Sequence, residues 1–247
     1  LLALALAAPV IYAQGRGGAP AGPPPPARQA AFFDPTGYWV SMIVDEWRFR
    51  VTPQKGDIPY LPINANARRI AMAWDPDKDF ADGNQCKAYG AVGIMQRPGR
   101  LHITWQDDNT LKIEADAGTQ TRVLHFGAKA EQPGPPTWQG YSEAQWQTVP
   151  RGRGGMAPGG LPGGGTLKVT TTNMLPGYIR KNGVPYSEKA TLTEYINHLA
   201  GGDNDEYLVD TAMVDDSTYL NQPFVRSYQF KKQADAKGWS PTPCLPR

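Results

Sequence analysis

The stretch that decides the fold runs from Arg100 to Phe126, RLHITWQDDNTLKIEADAGTQTRVLHF. Leu101, Ile103 and Trp105 alternate with His102, Thr104 and Gln106. Asp107-Asp108-Asn109 then turns the chain, because Asp and Asn side chains bond their own backbone and tolerate left-handed conformations. Leu111, Ile113 and Ala115 alternate with Lys112, Glu114 and Asp116; Ala117-Gly118 turns the chain again, and Thr119 to Phe126 returns. A period of two over successive segments marks strands with one buried face. The turns between them are hairpin length, so three antiparallel neighbours in sequence order are expected.

The same reading extends in both directions. Thr36 to Val51 (TGYWVSMIVDEWRFRV) is rich in aromatic and β-branched residues and predicts one long, bent strand. Ala144–Val149, Thr166–Asn173, Lys189–Leu199, Tyr207–Val214 and Val225–Lys231 add further strands, with Asn182-Gly183 and Gly201-Gly202-Asp203-Asn204 as turns. Asn64 to Asp75 (NANARRIAMAWD) has a different period. Ala67, Ile70, Ala71 and Trp74 share one helical face, Asn64 or Asn66 can cap the start, and Pro76 stops it. The sum is a mainly β protein: an antiparallel up-and-down barrel of about nine or ten strands with a short helix. Closure removes exposed strand edges, which favours a barrel over the alternative, a two-sheet sandwich.

Composition sets limits on partners and compartment. Gly (27) and Pro (24) make up about a fifth of the 247 residues, well above the average near 12%. The excess is concentrated: ten lie within residues 14–35 and eleven within 150–165. The rest has an ordinary globular content, so residues 14–33 read as a spacer and 150–165 as a flexible insert in one barrel domain, 34–247. Residues 1–13 are an apolar run ending at Ala13 and read as a secretory signal, lacking its charged start. The run is too short to be a stable membrane span. A periplasmic or secreted location is expected. In that setting the two cysteines, Cys86 and Cys244, are expected to pair and tie down the C-terminal tail. With 19% charged residues and a net charge of +2, nothing supports nucleic acid as a partner. Arg151-Gly152-Arg153 and Trp47-Arg48-Phe49-Arg50 read as a flexible loop and as Arg packed beside aromatics.

Asp34-Pro35-Thr36-Gly37-Tyr38-Trp39 carries a Gly-x-Trp at the start of the first strand. This resembles the opening motif of lipocalins and related calycin-type barrels. Arg97–Trp105, Glu114–Arg122 and Leu192-Thr193-Glu194-Tyr195 resemble a group of uncharacterised exported bacterial proteins with lipocalin-like barrels. The resemblance implies a barrel whose Trp closes one end and whose interior holds a small apolar ligand; it brings no established reaction. The Gly-rich insert and the internal helix depart from a compact lipocalin.

The polar residues among apolar strand positions are the candidate site. Glu194 is in phase with Leu192 and Ile196, Asp210 with Leu208 and Ala212, and Arg122 with Leu124 and Phe126. If those faces point inward, charges enter the barrel, where they must be paired. Trp39, Trp105 and Tyr195 are the candidate apolar lining. The expected ligand is a small apolar or aromatic molecule, oriented by Arg122 and Glu194. Two other readings stay open: an enzyme using His102, Glu194 or Asp210 as general acid or base, and an interaction module of the cell envelope. No metal or cofactor is expected. The three histidines, His102, His125 and His198, lack metal-ligand spacing, although His102 and His125 could meet across neighbouring strands with Glu114 or Asp116. There is no Gly-x-Ser-x-Gly elbow and no phosphate loop.

Overall fold

A computed structural model describes residues 24–51, 53–127, 134–148 and 164–245. The expected signal at 1–13 and most of the Gly-rich insert lie outside the described residues. Nine strands close into a barrel. They are β1 (Gly37–Met42), β2 (Arg100–Asp107), β3 (Thr110–Ala115), β4 (Gln120–Phe126), β5 (Tyr141–Thr148), β6 (Gly165–Thr172), β9 (Thr191–Ala200), β10 (Glu206–Asp215) and β11 (Phe224–Gln233). Around the barrel the order is β1-β11-β10-β9-β6-β5-β4-β3-β2. The short hairpin β7 (Gly177–Arg180) and β8 (Val184–Tyr186) stands apart as a two-stranded sheet.

The odd number of strands has a geometric consequence. A ring in which every neighbour is antiparallel alternates direction and must contain an even number. Nine strands force a parallel pair, and it falls at β4–β5, where Leu124 faces Ser142 and Phe126 faces Ala144. The antiparallel order holds at every other seam. A parallel pair needs a connection that returns the full length of the barrel. The described part of the connection that leads into β5 is residues 134–140, with Gly134-Pro135-Pro136.

The expected long first strand is corrected. Only Gly37–Met42 is extended, and helix α1 (Trp47–Val51) follows it. The break falls at Glu46, whose φ is 47°. Tertiary contacts override the β propensity of Trp47-Arg48-Phe49-Arg50. As part of the helix, Arg50 turns inward and donates to the carbonyls of Gln96 (3.2 Å) and Met42 (3.1 Å). The expected internal helix is α2 (Ala65–Ala73). The Asn64 side chain caps it, accepting from the Ala67 N–H at 3.0 Å, and Ala67 and Ala71 are fully buried. Pro76 opens a further helix, α3 (Pro76–Ala81), capped by Asp75. A last short helix is α4 (Ala91–Ile94).

The two barrel mouths are closed differently. At one, residues 24–35 form a strap. The Ala27 N–H donates to Asn109 Oδ1, the Arg28 N–H to the Asp108 carbonyl, and Trp146 Nε1 to the Ala27 carbonyl, each at 2.9 Å. At the other, residues 43–51 and 53–99 and the β7–β8 hairpin form a cap. Gln96 Nε2 donates to the Ile179 carbonyl at 2.6 Å, and Asn182 Nδ2 to the Asp57 carbonyl at 2.9 Å. The hairpin turn needs Gly183, which sits at φ +82° with Trp74 packed against it; a Cβ there would come within 2.2 Å of the Trp74 side chain. From β11 the tail runs back outside the barrel. Trp239 packs on Tyr38 and His102, and the Thr242 N–H donates to the Asp116 carbonyl at 2.8 Å. Cys244 then bonds Cys86 with S–S 2.08 Å, the expected pairing.

Candidate functional site

Alternation along the strands sends one polar group inward from several walls of an otherwise aliphatic interior. Arg122 on β4 reaches Glu194 on β9, three strands round the barrel, in a fork: Nη1 to Oε1 at 2.9 Å and Nη2 to Oε2 at 2.6 Å. Arg122 Nη2 also lies 3.3 Å from Thr171 Oγ1 on β6, which shares a hydrogen bond of 2.8 Å with Ser142 Oγ on β5. All four side chains are buried. Burial alone would lower the Arg122 pKa, but the Glu194 charge and its hydrogen bonds reverse the sign and hold the guanidinium charged.

Asp210 on β10 completes the layer. It lies two residues along from Ala212, the direct partner of Glu194, so the two carboxyls are diagonal neighbours on one face. Asp210 is fully buried; its oxygens accept no hydrogen bond from a protein N–H or O–H, and its protonated carboxyl hydrogen-bonds Glu194. Desolvation and the Glu194 charge push its carboxyl well above the ordinary range, despite the opposing pull of Arg122. Asp210 therefore favours the protonated form, poised to donate. Directly opposite it on β11 stands Tyr228, buried, its hydroxyl pKa raised chiefly by that burial.

The strap mouth is aromatic. Trp105 meets Phe126 (centroids 5.5 Å), Phe126 stacks on Trp146 (5.9 Å), and Phe33 of the strap sets its edge on Trp146 (5.1 Å) and stacks on His198 (5.7 Å). A cleft of about 330 Å³ opens between strap and barrel, lined by Arg28, Ala31, Phe33, Asp34, Thr36 and Trp105. Glu206 ties this rim together, accepting from Lys232 Nζ at 2.9 Å and lying 3.0 Å from His198 Nε2.

The residues singled out from sequence thus divide. Arg122, Glu194 and Asp210 converge. Trp39 is fully buried; its Nε1 donates to the Pro35 carbonyl (2.9 Å), and Lys232 lies 5.4 Å from its ring centre. Trp105 belongs to the mouth. Tyr195 is turned to the outer face beside Lys168, because its neighbour Glu194 takes the inward position. His102 is also outside: it stacks on Tyr38 (4.2 Å) and pairs with Glu114 (3.2 Å), far from any convergence with Glu194 or Asp210. His125 stacks on Tyr141 instead of meeting His102. Among the described residues no three His, Cys, Asp or Glu side chains are grouped to hold a metal.

Sequence reasoning missed Tyr228 and two buried arginines of the cap, Arg97 and Arg180, while Arg50, expected beside aromatics, lies over the Tyr228 ring. The phase of Tyr228 with Phe224 and Phe230 was available as a signal. The arginines lie in helical or irregular segments or a short hairpin, where period gives no inward direction.

Fold and site define a closed β-barrel with a strapped aromatic mouth and a charged interior layer. No family model matches the chain, and no curated protein or solved structure matches it either. No helix among the described residues is long and apolar enough to cross a membrane.

Proposed function

We propose that this protein is an exported, lipocalin-like barrel that binds a small, largely apolar molecule carrying one polar group. The reading is carried by Asp210: a buried carboxyl whose oxygens accept no hydrogen bond from the protein, beside a satisfied Arg122–Glu194 fork, in an aliphatic interior. A buried acceptor without a donor costs about 1–3 kcal/mol, and a ligand hydroxyl or amide N–H donating to Asp210 would remove that cost. The apolar body would lie toward the Trp105–Phe126–Trp146 belt, entering through the cleft beneath Phe33. Export agrees with the disulfide and with the apolar run at 1–13.

The test is a titration with neutral lipophiles such as N-phenyl-1-naphthylamine and retinol, reading tryptophan quenching and thermal shift. Saturable binding, weakened at least tenfold by Trp105→Ala, is expected. Absence of saturable quenching and of thermal shift across the panel would refute the reading.

A second reading is favoured by one observation. Six of the ten exposed large hydrophobic side chains among the described residues lie in the cap: Val44, Trp47, Val51, Tyr60, Met72 and Phe80. A surface of this kind suits protein contact. Concentration-dependent sedimentation, abolished by Trp47→Ser with Tyr60→Ser, is its test.

A further inference from the structure

The cap end of the barrel carries more buried positive charge than the chain neutralises. Arg50, Arg97 and Arg180 are 2%, 6% and 1% exposed. Arg180 (3.4 Å) and the half-buried Arg226 (2.9 Å) share a single carboxylate, Glu46. Arg50 has only Asp45, at 3.6 Å and mostly exposed. The nearby Asp57 is already held by Arg48 at 2.8 Å. Arg97 has no acidic partner among the described residues, and its Nε and Nη2 make no hydrogen bond at all. Arg50 Nη2 and Arg180 Nη1 are unpartnered too. Four guanidiniums thus face two carboxylates, with four buried N–H-bearing nitrogens left open.

We propose that this cluster is a binding site for a small oxyanion, with Arg97 as its principal ligand and Arg50 and Arg180 completing it. The site is separate from the Arg122–Glu194–Asp210 layer and does not rest on the ligand reading above. A buried charge without a counter-charge is strongly unfavourable, so it is ordinarily paired. A guanidinium fork is matched by two oxygens of one carboxylate, phosphate or sulfate group. The surroundings add to the case. Phe49 and Phe224 flank Arg180, and Tyr228 lies under Arg50 at 5.3 Å, which fixes the guanidinium planes without satisfying their N–H groups. Val51 and Lys181, next in sequence to Arg50 and Arg180, line an outer cleft of about 460 Å³ that also carries Lys55. Burial and the charges of Arg50 and Arg180 push Arg97 down to about 10, against the opposing effect of Tyr89 and Tyr228, as expected of a cation lacking its partner.

The experiment titrates the anion-stripped full chain with inorganic phosphate, acetate or chloride at constant ionic strength, by calorimetry and thermal melting. Phosphate or acetate should bind saturably and raise the melting temperature by about 5–10 °C at a hundredfold excess over Kd. Arg97→Met should weaken that binding at least tenfold while leaving neutral-lipophile binding intact. If Arg97→Met fails to fold, Arg97→Lys is used: it keeps the charge, loses the fork, and should also weaken binding tenfold. An identical response to chloride would overturn the proposal, as would saturable phosphate binding unaltered in the Arg97 variants, or no anion response in the parent chain.

Discussion

Replacing Asp210 by Asn should make the protein more stable, increasingly so as pH rises. The direction follows from proton linkage. An aspartate in the unfolded chain titrates near 3.9. In the fold its carboxyl is held well above that by burial and by Glu194. Between the two values the unfolded chain has released the proton and the fold has not. The native state then binds more protons, so stability falls as pH rises, by about 1.4 kcal/mol per pH unit, until the folded carboxyl itself ionises. Asn has the shape of the protonated acid and keeps a donor toward Glu194 but cannot titrate, so it removes this loss. Denaturant unfolding followed by tryptophan fluorescence at pH 4, 5 and 6 measures it for both chains. The two stabilities should nearly coincide at pH 4 and diverge above it, with Asp210→Asn the higher by about 1.4 kcal/mol for each unit over which Asp210 stays protonated. Other titrating groups are common to both chains and cancel in the difference. Parallel pH profiles, or a variant less stable than the parent at pH 6, would show that Asp210 is ionised in the fold and refute the reasoning.

Breaking the fork has the opposite effect. Arg122→Met strands Glu194 and should cost about 3–5 kcal/mol in chemical unfolding, whereas adding Glu194→Leu should recover most of it; equal single and double mutants would mean the pair is not coupled. Cys86→Ser with Cys244→Ser opens a loop of 158 residues. Its loss should cost up to about 5 kcal/mol in the chain-entropy model and expose residues 234–245 to proteolysis, while an unchanged midpoint and digestion pattern would exclude a stabilising role for the tail.

Strand sequences were legible where side chains face two different solvents. Leu101–Ile103, Leu111–Ile113 and Leu192–Glu194–Ile196 alternate because one face meets the interior and the other meets water, and their register follows directly. The same contrast located Arg122, Glu194 and Asp210, since a charge in an apolar phase has no reason to be there unless another charge meets it. What alternation cannot supply is closure. The parallel β4–β5 seam depends on nine strands meeting in a ring, a property of the count and not of any segment. Nor does it supply helices whose partners are distant. Trp47-Arg48-Phe49-Arg50 alternates as a strand would, yet the Gln96 carbonyl that receives Arg50 Nε lies 46 residues further along the chain.

This difference explains why the interior layer was visible in sequence and the cap arginines were not. Arg122 and Glu194 sit on regular strands, so each inward direction is fixed by its neighbours two residues away. Arg97 follows α4 in an irregular turn, and Arg180 ends a four-residue strand. Their directions are set by packing of the cap on the barrel. Tyr228 links the two regions: it faces Asp210 across the β10–β11 ladder and takes Arg50 against its ring. A single buried phenol therefore lies between the Asp210 carboxyl and the Arg50 guanidinium. The two places proposed for a ligand are thus chemically distinct, one for an uncharged hydrogen-bonding group at Asp210 and one for an oxyanion at Arg97. A molecule bearing only one of those groups should respond to substitution at only one of them.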